Sequence, residues 1–252
     1  MARAAIDPGR KARILVVDDH PLVRSGLIHL INGESDLVCC GEAGSVSEAQ
    51  AAIAGCRPDL AVIDLRLRGG DGLELTKRLR AQLPELRVLI FSQYDASLYI
   101  ERALRAGALG YVAKDQAPEA LLEAIRTVLA GEVYLTRGMA ARLLRTFVRP
   151  TSRNPQEGVN NLSDRELHVL HLLGSGMSTR EVGLELKLSF KTIETHRENI
   201  KRKLGLRCAA ELVHYATEWG REQICLPAES LAGAAQRVRS EAWRRPRPGC
   251  GA

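Results

Sequence analysis

Several kinds of segment are missing from this 252-residue chain, and each absence excludes a class of protein. No run of about 18 or more apolar residues occurs, so no segment is suited to crossing a membrane as a helix. The basic N-terminal stretch lacks an apolar core and does not resemble a secretory signal. The six cysteines form no CxxC pair and no Cys/His spacing typical of zinc sites. This pattern favours reduced thiols in a cytoplasmic protein.

Charge is distributed unevenly along the chain, whose formal net charge is +6. Residues 14–135 carry 12 basic and 17 acidic side chains, a net charge of −5, so the remaining segments carry +11. An acidic first half and a basic second half suggest a control domain joined to a domain that binds a polyanion.

In the first half, short apolar runs alternate with amphipathic segments. Five runs of strand length are each followed by a segment whose apolar residues have helical spacing. This alternation predicts a parallel sheet with helices on both faces, an α/β doubly wound fold of the flavodoxin-like type with right-handed crossovers. The predicted strands are residues 13–17, 37–40, 60–65, 87–92 and 109–113.

Polar side chains stand at the ends of four of these strands. Asp18 and Asp19 follow the first strand, Asp64 ends the third, and Ser92 and Lys114 end the fourth and fifth. In the strand order 2-1-3-4-5 the first and third strands are neighbours, so the carboxylates meet in one crevice. Three carboxylates repel one another unless a cation joins them, and oxygen ligands of this kind favour Mg²⁺. A divalent ion beside an aspartate and a lysine suits attack on a phosphoryl group.

Together these residues resemble the receiver domain of two-component response regulators, over about residues 12–133. The resemblance implies that Asp64 accepts a phosphoryl group and that Lys114 contacts it. It also implies that Ser92 is the switch hydroxyl and Tyr111 the rotating aromatic switch residue. By the same resemblance the Mg²⁺ ligands are Asp18, Asp19, Asp64 and the backbone carbonyl of Arg66.

Other interpretations of these residues remain open from the sequence. Asp64 taken alone is equally well explained as a strand-ending residue that caps the next helix, and Tyr111 as an ordinary strand aromatic. An unrelated phosphatase with an aspartate nucleophile usually needs a second carboxylate two residues later, where this chain has Arg66. His20 and Arg24 are interpreted as surface residues of a loop and of the first helix.

Three segments lie outside the predicted domains. Residues 1–12 are expected to form a disordered leader. Residues 134–160 are expected to form a linker that contains a helix and then turns to Pro, Ser, Thr, Asn and Gly, which is typical of a flexible connection. Residues 221–252 are expected to form a disordered basic tail. The receiver domain is therefore placed at residues 13–133 and the second domain at 161–220.

The second domain is predicted to be an all-α, four-helix helix-turn-helix domain. Ser163 and Glu166 have the spacing of a capping box at the start of its first helix. The third helix, from Phe190 to Leu204, carries five basic and two acidic residues between positions 191 and 203. Such a helix is suited to the major groove, with its N-terminal side chains toward base edges. A solvated amphipathic helix is the alternative.

The second domain resembles the LuxR-type (NarL/FixJ class) DNA-binding domain. The residues that carry the resemblance are the segments 162–166, 191–196 and 203–205. It implies that the last helix is a dimerisation helix. It implies further that the side chains nearest the bases are Lys191, Glu194, Thr195 and Glu198, and that those toward the DNA backbone are Thr192, His196, Arg197 and Lys203.

Taken together, the two resemblances predict a phosphorylation-controlled transcriptional regulator rather than an enzyme. The expected partners are promoter half-sites in double-stranded DNA, a sensor histidine kinase and a second copy of the chain after phosphorylation. RNA polymerase is a further candidate partner, and no membrane partner is expected. Two alternatives are a DNA-binding regulator whose receiver works without phosphorylation and a protein–protein signalling module; a steep salt dependence would distinguish DNA binding from the latter.

Overall fold

The computed structural model describes residues 10–68, 70–93, 97–148, 158–159 and 161–223. Most of the predicted leader, the Pro/Ser-rich part of the linker and nearly all of the predicted basic tail lie outside these residues. Within the described ranges, no helix is both long enough and apolar enough to span a membrane. The four cysteines that are described are free thiols.

The first part of the chain forms a five-stranded parallel sheet. Its strands are β1 (Ala12–Val17), β2 (Leu37–Ala43), β3 (Leu60–Ile63), β4 (Arg87–Ser92) and β5 (Gly110–Ala113). They lie in the order β2-β1-β3-β4-β5, which confirms the predicted doubly wound order.

Helices cover both faces of this sheet. They are α1 (Pro21–Asn32), α2 (Val46–Cys56), α3 (Gly72–Gln82), α4 (Ser97–Arg105) and α5 (Pro118–Leu129), and α6 (Arg137–Val148) follows. Alternation along β3 explains the two layers, because Ala61 and Ile63 belong to one apolar cluster and Leu60 and Val62 to the other. All four residues are buried, as expected for a central parallel strand.

One feature between β3 and α3 was not predicted. The strand ends at Ile63, one residue before Asp64, and a two-residue antiparallel hairpin follows in which Arg66 pairs with Asp71. Asp71 then caps α3, because its carboxylate accepts a hydrogen bond of 2.7 Å from the backbone N–H of Leu73. Such short pairings leave no periodic signal in a sequence.

The second part consists of four helices, as predicted. They are α7 (Asp164–Gly174), α8 (Thr179–Glu185), α9 (Phe190–Leu204) and α10 (Ala209–Gln223). Ser163 and Glu166 form both halves of the predicted capping box. In the turn between α8 and α9, Lys187 has a positive φ of 54°, a left-handed conformation that few non-glycine residues adopt. This turn is the turn of the helix-turn-helix.

The two parts share one of the apolar clusters. It begins on the face of the sheet covered by α2, α3 and α4, includes Tyr99 of α4, and continues into α7 and α10 through Leu167 and Trp219. The helical part therefore packs against the side of the receiver that carries α3 and α4.

Candidate functional site

The ends of β1 and β3 bring the predicted acidic residues together. The two strands pair with Val17 opposite Ile63, and the N–H of Asp64 donates to the carbonyl of Val17 at 2.8 Å. Asp18, Asp19 and Asp64 are all buried. One ligand atom from each of them and one from His20 lie within 4.8 Å of one another. The arrangement is therefore an acidic cluster with the donor set of a metal site.

Lys114 bridges two of these carboxylates. Its Nζ donates to Oδ2 of Asp18 at 2.6 Å and to Oδ2 of Asp64 at 2.8 Å. The backbone N–H of Lys114 donates to the carbonyl of Ser92 at 2.8 Å, which fixes the lysine beside the end of β4. Burial raises the pKa of Asp64 to about 6, although the charge of Lys114 opposes this effect.

The two predicted switch residues lie on the strands beside this pocket. Ser92 ends β4 opposite Ala113, and Tyr111 lies in β5 opposite Ile90. Both side chains are buried, with 0% of their surface exposed. Tyr111 belongs to the apolar cluster that also contains Tyr99. Any rotation of Tyr111 must therefore disturb the packing of α4.

His20 and Arg24, which the sequence suggested were surface residues, both contact this site. The Nδ1 atom of His20 lies 2.9 Å from Oδ1 of Asp19, and its backbone N–H donates to Oδ1 of Asp18 at 2.8 Å. Arg24 donates to the carbonyl of Asp18 at 2.7 Å. The position of His20 directly after the acidic pair was the only signal of this role.

The end of α8 and the turn that follows it also contact the acidic cluster. The Nζ of Lys187 donates to Oδ2 of Asp19 at 2.8 Å, and Glu185 pairs with the guanidinium of Arg66. Burial by itself would raise the pKa of Asp19, but the hydrogen bond from Lys187 and the charge of His20 outweigh it and lower the pKa. No local sequence pattern could reveal a contact between residues 168 positions apart.

A second group of contacts joins α4 to the start of α7. Arg102 donates to Oδ1 of Asp164 at 2.6 Å and to the carbonyls of Val159 and Leu162 at 3.0 and 2.9 Å. Lys77 of α3 lies 3.2 Å from the other carboxylate oxygen of Asp164. Arg102 and Asp164 are each only 13% exposed, so this ion pair is shielded from solvent.

Aromatic rings and imidazoles form the centre of the interface. The ring of Tyr99 lies 5.4 Å from that of His168 and 6.2 Å from that of His171. His171 in turn lies 6.2 Å from Trp219 of α10. Burial lowers the pKa of His168 to about 3, and burial with the charge of Asp164 raises the pKa of Asp71 to about 7. His168 is therefore neutral at pH 7.

The candidate DNA-contacting residues of α9 fall into two groups. Lys191, Thr195 and Glu198 are exposed. The others contact neighbouring residues. Arg197 pairs with Glu194 at 2.8 Å, Lys203 pairs with Glu166 at 2.6 Å, and the N–H of Thr192 donates to Ser189 at 3.1 Å. His196 is half-buried and lines a cavity of about 610 Å³ together with Asp19 and Arg66 of the receiver.

The chain matches two family models. Residues 14–126 match the response regulator receiver domain, and residues 160–216 match the bacterial regulatory proteins of the luxR family. It is 39% identical to the transcriptional activator protein ExaE of Pseudomonas putida, over 82% of this chain and 96% of that protein. It is 35% identical to the DNA-binding transcriptional activator DevR/DosR of Mycobacterium tuberculosis, over 84% and 96%.

A solved structure adds to this likeness. A LuxR-family two-component response regulator from Aurantimonas sp. SI85-9A1 is 36% identical and has a TM-score of 0.53, over 55% of this chain and 99% of that one. Fold and site together define a receiver-containing transcriptional regulator rather than an enzyme. The chain belongs to the NarL/FixJ class of two-component response regulators, as its resemblances indicated.

Proposed function

We propose that phosphoryl transfer to Asp64 controls the binding of promoter DNA by the second domain. The observation that carries this proposal is the Lys114 bridge, with Nζ 2.8 Å from Asp64 and 2.6 Å from Asp18. An Asp64 oxygen attacks the phosphorus of a phosphohistidine on the sensor kinase, and the P–N bond breaks. The electron pair returns to the imidazole, which takes a proton from solvent. Lys114 offsets the charge on the transferring oxygens.

The acidic cluster fits Mg²⁺. Its carboxylates are hard oxygen ligands, all three are buried, and one atom from each lies within 4.8 Å of the others. Asp18, Asp19, Asp64 and the backbone carbonyl of Arg66 would hold the ion. When bound, it would offset negative charge on the phosphoryl oxygens.

The output of the switch is a change in the position of the second domain. The contacts of Lys187, Arg102 and Tyr99 hold the helices against the receiver, and His196 of the DNA-reading helix faces the receiver across a cavity. Rearrangement of Ser92 and Tyr111 around a phosphorylated Asp64 shifts the population toward a released second domain.

The released domain dimerises through α10 and binds promoter half-sites in the cytoplasm, where RNA polymerase is a further partner. The names of the relatives as transcriptional activators support this output. The residues that face DNA in this proposal are Lys191, Thr192, Glu194, Thr195, His196, Arg197, Glu198 and Lys203.

Phosphorylation by acetyl phosphate in the presence of Mg²⁺, followed by intact-protein mass spectrometry, tests the acceptor. The wild-type chain is expected to gain one phosphoryl group and Asp64→Asn none. Asp115→Asn is the matched control, because Asp115 is an exposed carboxylate next to Lys114 in sequence. Continued Mg²⁺-dependent phosphorylation of Asp64→Asn would contradict the assignment.

A further inference from the structure

The turn of the helix-turn-helix places a positive charge on the acidic cluster. We propose that Lys187 competes with the divalent cation for Asp19, so that metal binding alone, before any phosphoryl transfer, loosens the docked second domain. This inference rests on the proposed function, because it requires a metal site at Asp19.

The charge balance of the cluster identifies Lys187 as the competitor. Lys114 donates to Asp18 and Asp64, whereas Lys187 is the lysine that donates to Asp19, at 2.8 Å. Lys187 is half-exposed while Asp19 is nearly buried, so the lysine reaches in from the edge of the site. A divalent ion on the same carboxylate would repel this ammonium and satisfy Asp19 in its place.

The backbone of the turn couples the side chain to the whole domain. Lys187 donates its N–H to the carbonyl of Leu184, and Leu188 donates to that of Gly183, at 3.2 and 2.9 Å. Glu185, the last residue of α8, pairs with the side chain of Arg66, whose backbone carbonyl is a proposed metal ligand. The side chains of Glu185 and Lys187 therefore both contact residues of the proposed metal site, which couples that site to the end of α8 and the following turn.

Two other groups of described interface contacts, those of Arg102 and those of Tyr99, fall on residues outside the acidic cluster. Arg102 donates hydrogen bonds to Asp164, Val159 and Leu162, and the ring of Tyr99 lies near the rings of His168 and His171. Metal binding therefore removes one group of contacts and leaves the others for the phosphorylation step. Because linkage is reciprocal, a substitution that undocks the domain through Arg102 must also tighten metal binding.

Calorimetric titration of the full chain with Mg²⁺, without a phosphodonor, tests the competition. Lys187→Ala is expected to bind Mg²⁺ roughly fivefold more tightly than wild type, the order set by a partly exposed ion pair. Arg180→Ala is the matched control, because it removes the same charge from an exposed position at the start of α8. It is expected to leave the affinity close to that of wild type, because salt screens distant charges.

A second pair of variants tests the domain coupling apart from local electrostatics. Arg102→Gln is expected to tighten Mg²⁺ binding as well, whereas Arg105→Gln, on the same helix but paired with Glu101 within it, is not. If Lys187→Ala matches Arg180→Ala, or if Arg102→Gln binds Mg²⁺ as wild type does, the inference is wrong.

An Asp64→Asn titration separates this failure from failure of the proposed function. Wild-type binding that Asp64→Asn abolishes, combined with no effect of Lys187→Ala, overturns only the competition. Absence of Mg²⁺ binding in wild type overturns both the competition and the metal-dependent function.

Discussion

Asp64 belongs to a group of buried charges. Asp18, Asp64 and Lys114 have side chains that are 1%, 3% and 9% exposed, so solvent screens their interactions poorly. Removing one member of such a group leaves an uncompensated buried charge, which costs far more than a surface ion pair does. The ammonium of Lys114 is therefore structural as well as functional.

We expect Lys114→Gln to lower the free energy of unfolding by roughly 3 kcal/mol in buffer without divalent ions. Saturating Mg²⁺ is expected to restore part of the loss, because a ligand that binds only the folded state stabilises it. Urea unfolding followed by circular dichroism measures both effects. Lys11→Gln, at an exposed position, is the control. Equal stability of Lys114→Gln and Lys11→Gln in metal-free buffer would contradict the account.

Glu166 has a comparable role in the second domain. Its Oε2 accepts from the N–H of Ser163 at 2.7 Å and from Lys203 at 2.6 Å. Burial alone would raise its pKa, but these two partners outweigh burial and lower it. Because the pKa is lowered in the folded state, the ionised carboxylate stabilises the fold at pH values above 4.5, its pKa in the unfolded chain. This stabilisation is lost as the pH falls through the folded-state pKa.

Glu166→Gln is expected to cost about 1–2 kcal/mol at pH 7. The difference from wild type is expected to shrink as the pH falls below 4.5, the ordinary pKa of this group. Fluorescence of Trp219, buried in α10, reports unfolding of this domain. Glu181→Gln alters the capping box at the start of α8, where the carboxylate is exposed and accepts from the N–H of Ser178 at 2.8 Å, and should have a smaller effect. A pH-independent difference for Glu166→Gln would refute the linkage.

Among the helices, α4 connects the switch residues to the second domain. Its inner face shares an apolar cluster with Tyr111. Its Arg102 donates hydrogen bonds to Asp164 and to the backbone carbonyls of Val159 and Leu162, just before α7. A movement of α4 by a fraction of a turn would break three hydrogen bonds from one side chain. We therefore expect α4 to be the element that relays phosphorylation of Asp64 to the second domain.

Arg102→Ala is expected to raise the DNA affinity of the unphosphorylated chain by roughly tenfold, because losing about 1.4 kcal/mol of docking energy changes the docking equilibrium by that factor. Fluorescence anisotropy with a selected genomic fragment measures the change. Arg105→Ala removes the same charge from a side chain that is 70% exposed and is expected to bind DNA as wild type does. Weaker DNA binding by Arg102→Ala would argue against a closed resting state.

At the scale of the whole molecule, local patterns predicted much of the architecture. The apolar run that contains β3 was recognisable because a central parallel strand buries both faces, and the first capping box was recognisable because Ser163 and Glu166 stand three residues apart. The meeting of Asp18 and Asp64 followed from strand order, since β1 and β3 are adjacent. The predicted strand order was therefore sufficient to predict that these carboxylates lie close together.

The interface between the two parts was not predictable in the same way. No periodic signal links Lys187 to Asp19 or Arg102 to Asp164, and both cations have an ordinary explanation as surface charges. The hairpin at Arg66 was also missed, because a two-residue pairing is too short to produce a pattern. These contacts depend on how two folded units pack, which one sequence does not encode locally.

In the proposed function, the state of Asp64 controls DNA binding through release of the second domain. The most direct test is the DNA affinity of the full chain, measured by anisotropy with Mg²⁺ present, before and after addition of beryllofluoride, for wild type and Asp64→Asn. We predict tighter binding by the modified wild-type protein and no change in Asp64→Asn. Equal affinity of wild type in both states would contradict the account.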